Sequence, residues 1–239
     1  MAEARPVNRR EDGDMVPSGP LPDGASIDGD GVWVQILKRP RGKRAALFLD
    51  RDGVLVDEVR FLQRVEDARL IPGAARVVAA ANACGVPVVV VTNQAGIAYG
   101  HYGWDAFIRV QEKILADLTA DGAFVDGVFA CPHHAEGRPP YDHPDHPARK
   151  PNPGMLLRAA EMLTLDLAAS WMVGDRADDL EAARNAGLAG GVHVLTGYGA
   201  RAGERAAAMA LSGDGFRALA ASSIADAPRL VPLLKGRTD

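Results

Sequence analysis

The sequence predicts an α/β fold: a three-layer, doubly wound parallel sheet with small inserts and no large cap domain. Apolar runs without polar alternation recur along the chain, as strands buried on both faces require. Amphipathic helical patterns separate these runs, the order that builds a parallel sheet covered by helices. Aspartates follow directly on the runs ending at Leu49 and Gly174, where open α/β sheets bind ligands.

Residues 1–44 read as an amino-terminal extension, partly disordered, and 45–239 as the main domain. Residues 1–31 are rich in Pro, Gly and Asp with little periodicity, so loose attachment is expected. Val32 to Leu37 reads as a strand packing on the main body. Ala45 to Leu49 is the first core strand, apolar throughout. Pro72 opens a helix that runs to Ala83, with Gly85 as its stop. Val86 to Val91 is the second core strand. Trp104 to Ala120 has helical periodicity, with Phe107, Ile108, Ile114, Leu115 and Leu118 on one side. Phe124 to Ala130 is the third strand and ends at Cys131. Pro153 to Leu163 is a helix started by proline, and Trp171 to Val173 the fourth strand. Ala177 to Ala186 is a helix closed by Gly187, and Gly191 to Leu195 the fifth strand. Ser223 to Leu234 reads as a final helix, weakened by Pro228 and Pro232. Two connections are too long for simple turns. Residues 54–71 suit a small flap over the site, and 131–150 form a second insert dense in His, Pro and Asp.

The 239 residues are 47% apolar, ample for a packed core, and carry a net charge of -4. That balance gives no global footprint for nucleic acid. The local run Lys38-Arg39-Pro40-Arg41-Gly42-Lys43-Arg44 is either a solvated linker or an anion-binding patch. Cys84 and Cys131 are the only cysteines, so no disulfide framework is expected. The start of the sequence lacks an apolar signal core, and no apolar run is long enough to span a bilayer. The expectation is a cytoplasmic monomer with no membrane and no nucleic-acid partner. Cys84 and Trp171 read as core residues, His193 as a satisfied strand residue, and His101 as a residue within approach of the substrate.

Four separated pieces fit one reaction. Asp50 and Asp52 stand at the end of the first core strand, followed by Gly53, which lets backbone amides approach an anion. A carboxylate can attack phosphorus and carry the phosphoryl group, and Asp50 lies nearest the strand end. Asp52 is then the general acid and base. Like charges this close call for a hard divalent cation such as Mg²⁺. Thr92-Asn93-Gln94 follows the second strand and offers donors to phosphate oxygens. Arg149-Lys150 offers a planar fork and a point charge just before a proline-rich helix start. Asp175 follows the fourth strand and can ligate the cation; Asp179, a turn further on, either joins it or holds Lys150 or Arg176. Each piece also has a structural reading: a turn at Asp52-Gly53, a cap at Thr92, a solvated pair at Arg149-Lys150 and helix capping at Asp178-Asp179.

The set Asp50-x-Asp52-Gly-Val, Thr92-Asn-Gln, Arg149-Lys-Pro-x-Pro-Gly-Met and Gly174-Asp175-x3-Asp179 resembles the haloacid dehalogenase (HAD) superfamily of phosphatases. More narrowly it is similar to the D-glycero-D-manno-heptose 1,7-bisphosphate 7-phosphatases and the related histidinol phosphatases. The resemblance spans about residues 45–200. It implies a Rossmann-like core and hydrolysis of a small phosphorylated sugar through an aspartyl-phosphate. It makes Asp50 the nucleophile and Asp52 the acid/base. Mg²⁺ is then held by Asp50, the Asp52 carbonyl and Asp175, and the transferring phosphate by Thr92 and Lys150. Asn93, Gln94 and Arg149 contact phosphate or substrate, and the flap, through Asp57 and Glu58, reaches sugar hydroxyls.

The resembled phosphatases bind a structural zinc through Cys-x-His and a Cys-x-Cys before Arg-Lys-Pro. Here the late cysteine positions hold His146 and Ala148. Cys131, His133, His143 and His146 form a chemically sensible alternative set, with Asp142 and Asp145 behind the imidazoles and His134 capping the loop. The family also carries Arg where this chain has Tyr99, and favours Lys where it has Arg176.

Overall fold

The computed structural model describes residues 16–213 and 215–235. One eight-stranded sheet organises the chain, in the order β1-β2-β5-β4-β3-β6-β7-β8. β1 (Ala25–Ile27) and β2 (Trp33–Ile36) pair antiparallel and add to the edge of β5 (Gly127–Cys131). The other pairings, among β3 (Leu47–Leu49), β4 (Val88–Asn93), β5, β6 (Trp171–Gly174), β7 (Gly190–His193) and β8 (Arg217–Ala220), are parallel. β3 lies between β4 and β6, so the winding reverses at β3 and opens a crevice at its carboxyl end.

Alternate strand residues feed two separate cores. Leu47, Leu49, Val88, Val90, Trp171 and Val173 point to the face covered by α1 (Ala74–Ala83) and α3 (Trp104–Ala120). Phe48, Val89, Val91 and Met172 point to the face covered by α4 (Gly154–Leu163), α5 (Ala177–Asn185) and α6 (Glu204–Ala210). A short α2 (Ala95–Ala98) follows β4 directly. Among the described residues the sheet thus has helices on both faces and no large cap, as the sequence predicts.

Several elements depart from expectation. Residues 16–31 are not loose: β1 pairs with β2, Ser18 N donates to Asp105 at 3.0 Å, and Asp28 pairs with Arg158. Residues 1–15 lie outside the described residues. Trp33 anchors the added edge, stacked on Trp104 at 5.8 Å and edge-on to Phe107 at 5.4 Å. The final helix is only α7 (Ala227–Leu230), flanked by 3₁₀ turns at Ile224–Asp226 and Pro232–Leu234. Pro228 is tolerated in its first turn, whereas Pro232 has no N–H to extend it. α6 and β8, unforeseen, continue the sheet; β8 lacks β-branched residues and shows no strand signal. Cys84 is exposed rather than core, because it lies past the last turn of α1. Trp171 is buried, as expected. Among the described residues no helix is long and apolar enough to cross a membrane.

Candidate active site

Leu49 is in register with Val90 on one side and Val173 on the other; β3 and β6 end here and β4 runs on to Asn93. Their next side chains converge. The Asp50 N–H donates to the Val173 carbonyl at 3.0 Å, and Asp50 Oδ1 accepts from the Arg51 N–H at 2.8 Å. Lys150 Nζ reaches in from the second insert to Asp50 Oδ1 at 2.9 Å, Asp179 Oδ1 at 2.5 Å and the Val91 carbonyl at 2.8 Å. Burial works against the Lys150 ammonium, yet Asp179 and Asp50 beside it hold its pKa above the usual lysine value.

Asp175 is buried at the end of β6, where Oδ2 accepts the Tyr198 N–H at 2.7 Å. Burial, then repulsion from Asp50 and Asp179, raises its pKa; burial likewise raises that of Asp50 against the pull of Lys150. One carboxylate oxygen each from Asp50, Asp175 and Asp179 lies within 4.8 Å of the others, a cluster with the chemistry of a hard-cation site. Asp179 is already committed, accepting the Arg176 N–H at 3.0 Å at the start of α5 and pairing with Lys150. Gly174 makes this possible, since a Cβ there would stand 2.2 Å from the Asp179 Cβ.

Asp52 is held by a buried network. Arg51, fully buried, forks onto its carboxylate, with Nη2 at 2.8 Å from Oδ2. Gln94 Nε2 donates to Asp52 Oδ2 at 2.9 Å and to Thr92 Oγ1 at 2.8 Å. Gln94 Oε1 accepts from Arg51 at 3.0 Å and from the Tyr102 hydroxyl at 2.5 Å. Asn93 bonds the Lys150 backbone at both ends of its amide, at 3.0 and 3.1 Å. Gln94 and Asn93 therefore serve the groups around them, in a geometry the spacing alone does not reveal.

Two chambers meet here. The inner one, about 80 Å³, is lined by Asp50, Asp52, Thr92, Lys150, Asp175 and Asp179. The outer one, about 240 Å³, adds Arg60, Phe61, Tyr99, His134 and Arg149; Glu58, Arg176 and Tyr198 border both. Arg149 is oriented by donating to the His133 carbonyl at 2.9 Å. Burial and then Asp52 raise the pKa of Glu58, which bonds to Tyr198. Asp57 is exposed and lines neither chamber. Arg51, Tyr102 and Tyr198 carry no expectation from sequence. Tyr198 had a readable signal, since it follows a strand whose carboxyl end faces the crevice.

The second insert gathers its histidines elsewhere. Cys131 Sγ lies 3.8 Å from His146 Nδ1, and the His133 and His146 rings stack at 3.8 Å. His143 stands farther off, its ring centroid 5.1 Å from that of His146. His133 Nε2 faces the Asp30 carbonyl at 2.7 Å, so it must carry the proton; Nδ1 is then a buried lone pair with no partner. Burial pushes the Cys131 thiol up to about 12 and His146 down to about 4. His134 caps its loop by accepting the Glu136 N–H at 3.0 Å. His193 is buried in β7, but neither ring nitrogen finds a hydrogen-bond partner. His101 is exposed and does not line the chambers.

The HAD-hydrolase-like family model matches residues 147–215. A D-glycero-beta-D-manno-heptose-1,7-bisphosphate 7-phosphatase of Mesorhizobium japonicum is 46% identical over 167 residues, covering 67% of this chain and 75% of the relative. The crystal structure of a protein described as a HAD-like phosphatase from Mesorhizobium loti superposes with a TM-score of 0.74 at 39% identity, covering 87% of this chain and 96% of that one. The D,D-heptose 1,7-bisphosphate phosphatase of B. bronchiseptica, solved with magnesium and phosphate, gives a TM-score of 0.63 at 30% identity, over 76% and 94%. The three-strand crevice and its carboxylates thus define a class, and the chain belongs to the haloacid dehalogenase-like phosphatases, hydrolases of phosphoric monoesters. Within that class it is similar to the heptose-bisphosphate phosphatases in particular.

Proposed function

We propose that this phosphatase removes the 7-phosphate of D-glycero-D-manno-heptose 1,7-bisphosphate through an aspartyl-phosphate on Asp50. The observation that carries the reading is the convergence of Asp50, Asp175 and Lys150 at the inner chamber, with Asp52 two residues after the nucleophile. The relatives' names support the substrate. Asp50 attacks phosphorus in line and the ester P–O bond breaks. Asp52 gives its proton to the leaving oxygen. Asp52 then takes a proton from water, which attacks phosphorus, releases phosphate and restores Asp50. Lys150 and Thr92 hold the phosphoryl oxygens, with Gln94 orienting both Thr92 and Asp52. Arg149, Glu58 and Asn93 shape the site around the remaining substrate, Asn93 by holding the Lys150 backbone.

Mg²⁺ fits the donor set: buried carboxylates with raised pKa values are a pair that needs a counter-charge. Asp50, Asp175 and the Asp52 carbonyl would hold it, and it would offset charge on the phosphate. A structural zinc in the second insert is the second part of this reading. The 3.8 Å between Cys131 Sγ and His146 Nδ1 is near the roughly 3.6 Å edge of a tetrahedral site built from ordinary zinc bond lengths. His133 Nδ1 offers a buried lone pair, whereas His146 Nδ1 and His143 Nδ1 accept the Ala148 and Asp145 N–H groups at 3.1 Å and would have to exchange them for the metal. The thiols Cys84 and Cys131 are both free, which suits a cytoplasmic enzyme.

Phosphate release from a panel of phosphosugars, heptose bisphosphate among them, tests the substrate. That compound should give the highest kcat/KM, and chelation of Mg²⁺ or Asp50→Asn should abolish turnover. Wild-type turnover in the Asp50→Asn variant would remove the proposed nucleophile. Elemental analysis of the purified protein tests the zinc.

A further inference from the structure

The outer chamber has one wall the chemistry above does not use. Phe61 from the flap, Tyr99 from the end of α2 and His134 from the second insert all line it. Their rings touch in series: Tyr99 lies 5.9 Å edge-on from Phe61 and 4.9 Å from His134. His101, outside the lining, supports them at 4.2 Å from Phe61 and 5.8 Å from Tyr99. Phe61 is also held at φ +61°, the left-handed region that a bulky side chain avoids. Such strain persists only where surrounding structure imposes it, and it clusters at sites that clamp ligands. Three segments far apart in the chain thus build one aromatic surface beside the phosphate chamber.

We propose that Phe61, Tyr99 and His134 form a wall that packs against the carbon skeleton of a cyclic phosphoester, so that the site selects ring-bearing substrates over acyclic ones. The inference rests on the phosphatase reading and adds the residues that would select for a ring. The rings would pack against the C–H groups of a pyranose, while Glu58, Arg149 and Tyr198, which line the same chamber, would meet its hydroxyls. An acyclic chain has no flat face to present and gains little from the wall.

Steady-state kinetics on glucose 6-phosphate and glycerol 1-phosphate test it, for the wild type and for Tyr99→Ala, Tyr99→Phe and Phe61→Gly. Glycine relieves the backbone at position 61 but removes a ring packed on the core, so a cooperative melting transition must first show that Phe61→Gly and Tyr99→Ala are folded. Both Phe61→Gly and Tyr99→Ala should raise KM for the pyranose phosphate on the order of tenfold, the range for loss of an apolar contact in a pocket. Their kcat, and their kinetics on glycerol 1-phosphate, should stay near wild type, and Tyr99→Phe should behave as wild type. Equal changes on both substrates, or none on either, would overturn the wall and leave the phosphatase reading standing. A wild type that releases phosphate from neither compound nor from heptose bisphosphate would overturn the phosphatase reading and the wall with it.

Discussion

Gly53 lies at φ +81°, and a Cβ there would stand 2.4 Å from Asp175 Oδ2 and 3.0 Å from the Gly197 Cα. Gly53→Ala should therefore displace Asp175 and lower kcat by at least tenfold, read from phosphate release at saturating Mg²⁺. Lys150 is the sole cation whose contacts bridge Asp50 and Asp179 among the described residues. Lys150→Met would leave buried carboxylates uncompensated, and removing one partner of a buried pair costs about 3–5 kcal/mol. Urea unfolding should report a loss in that range, reduced if the carboxyls protonate instead. Asp126, buried beside β5, accepts the Val88 N–H at 2.8 Å, and burial raises its pKa. The folded state then keeps the proton longer than the unfolded chain does. Its contribution to stability is present below the ordinary carboxyl pKa and is lost as pH rises through the raised one. Asp126→Asn keeps an acceptor without the charge, so melting temperature relative to wild type should be more favourable at pH 7 than at pH 4. Asp50, Asp52 and Asp175 were legible because strand ends announce them, and Lys150 because it stands just before a proline-rich helix start. Arg51 was not, because nothing local says that its guanidinium turns inward onto Asp52.

The helix Trp104–Ala120 was readable to the residue, having long periodicity and a clear apolar face. β8 was not readable, being a short edge strand of Arg, Ala and Leu whose place depends on β7. β1 shows the same dependence from the other edge, whereas β2 was legible within Val32 to Leu37. Trp33 lies fully buried between the sheet and α3, although it precedes the first core strand. Trp33→Ala should cost about 3–5 kcal/mol, the usual range for emptying an aromatic site in a core. Denaturant unfolding monitors it. A cost below about 1 kcal/mol would mean that the added edge contributes little to the fold.

Across the molecule, two cores share one sheet, and the acidic cluster lies where the winding reverses between them. Repulsion there opposes folding until a cation offsets it, so metal binding and stability are linked. A ligand at about 100 times its Kd adds roughly 2.7 kcal/mol. For a chain of this size that corresponds to about 5–11 °C in Tm. Saturating Mg²⁺ should raise Tm by that order, and Asp175→Asn should remove the shift while raising the metal-free Tm. Calorimetry with and without chelator checks both.

Strand-end aspartates, apolar runs and helix punctuation are local signals, so the sequence alone determined the doubly wound sheet and the phosphoryl chemistry. Partner choice is not local. Asn93 finds the Lys150 backbone across 57 residues, and Gln94 finds Asp52 across 42. Only the tertiary structure decided that Asp179 serves Lys150, that Asn93 holds a backbone, and that Phe61, Tyr99 and His134 share a wall. Each of those outcomes depends on which distant segments the folded sheet brings within hydrogen-bond or van der Waals reach, and no spacing along the chain encodes that distance.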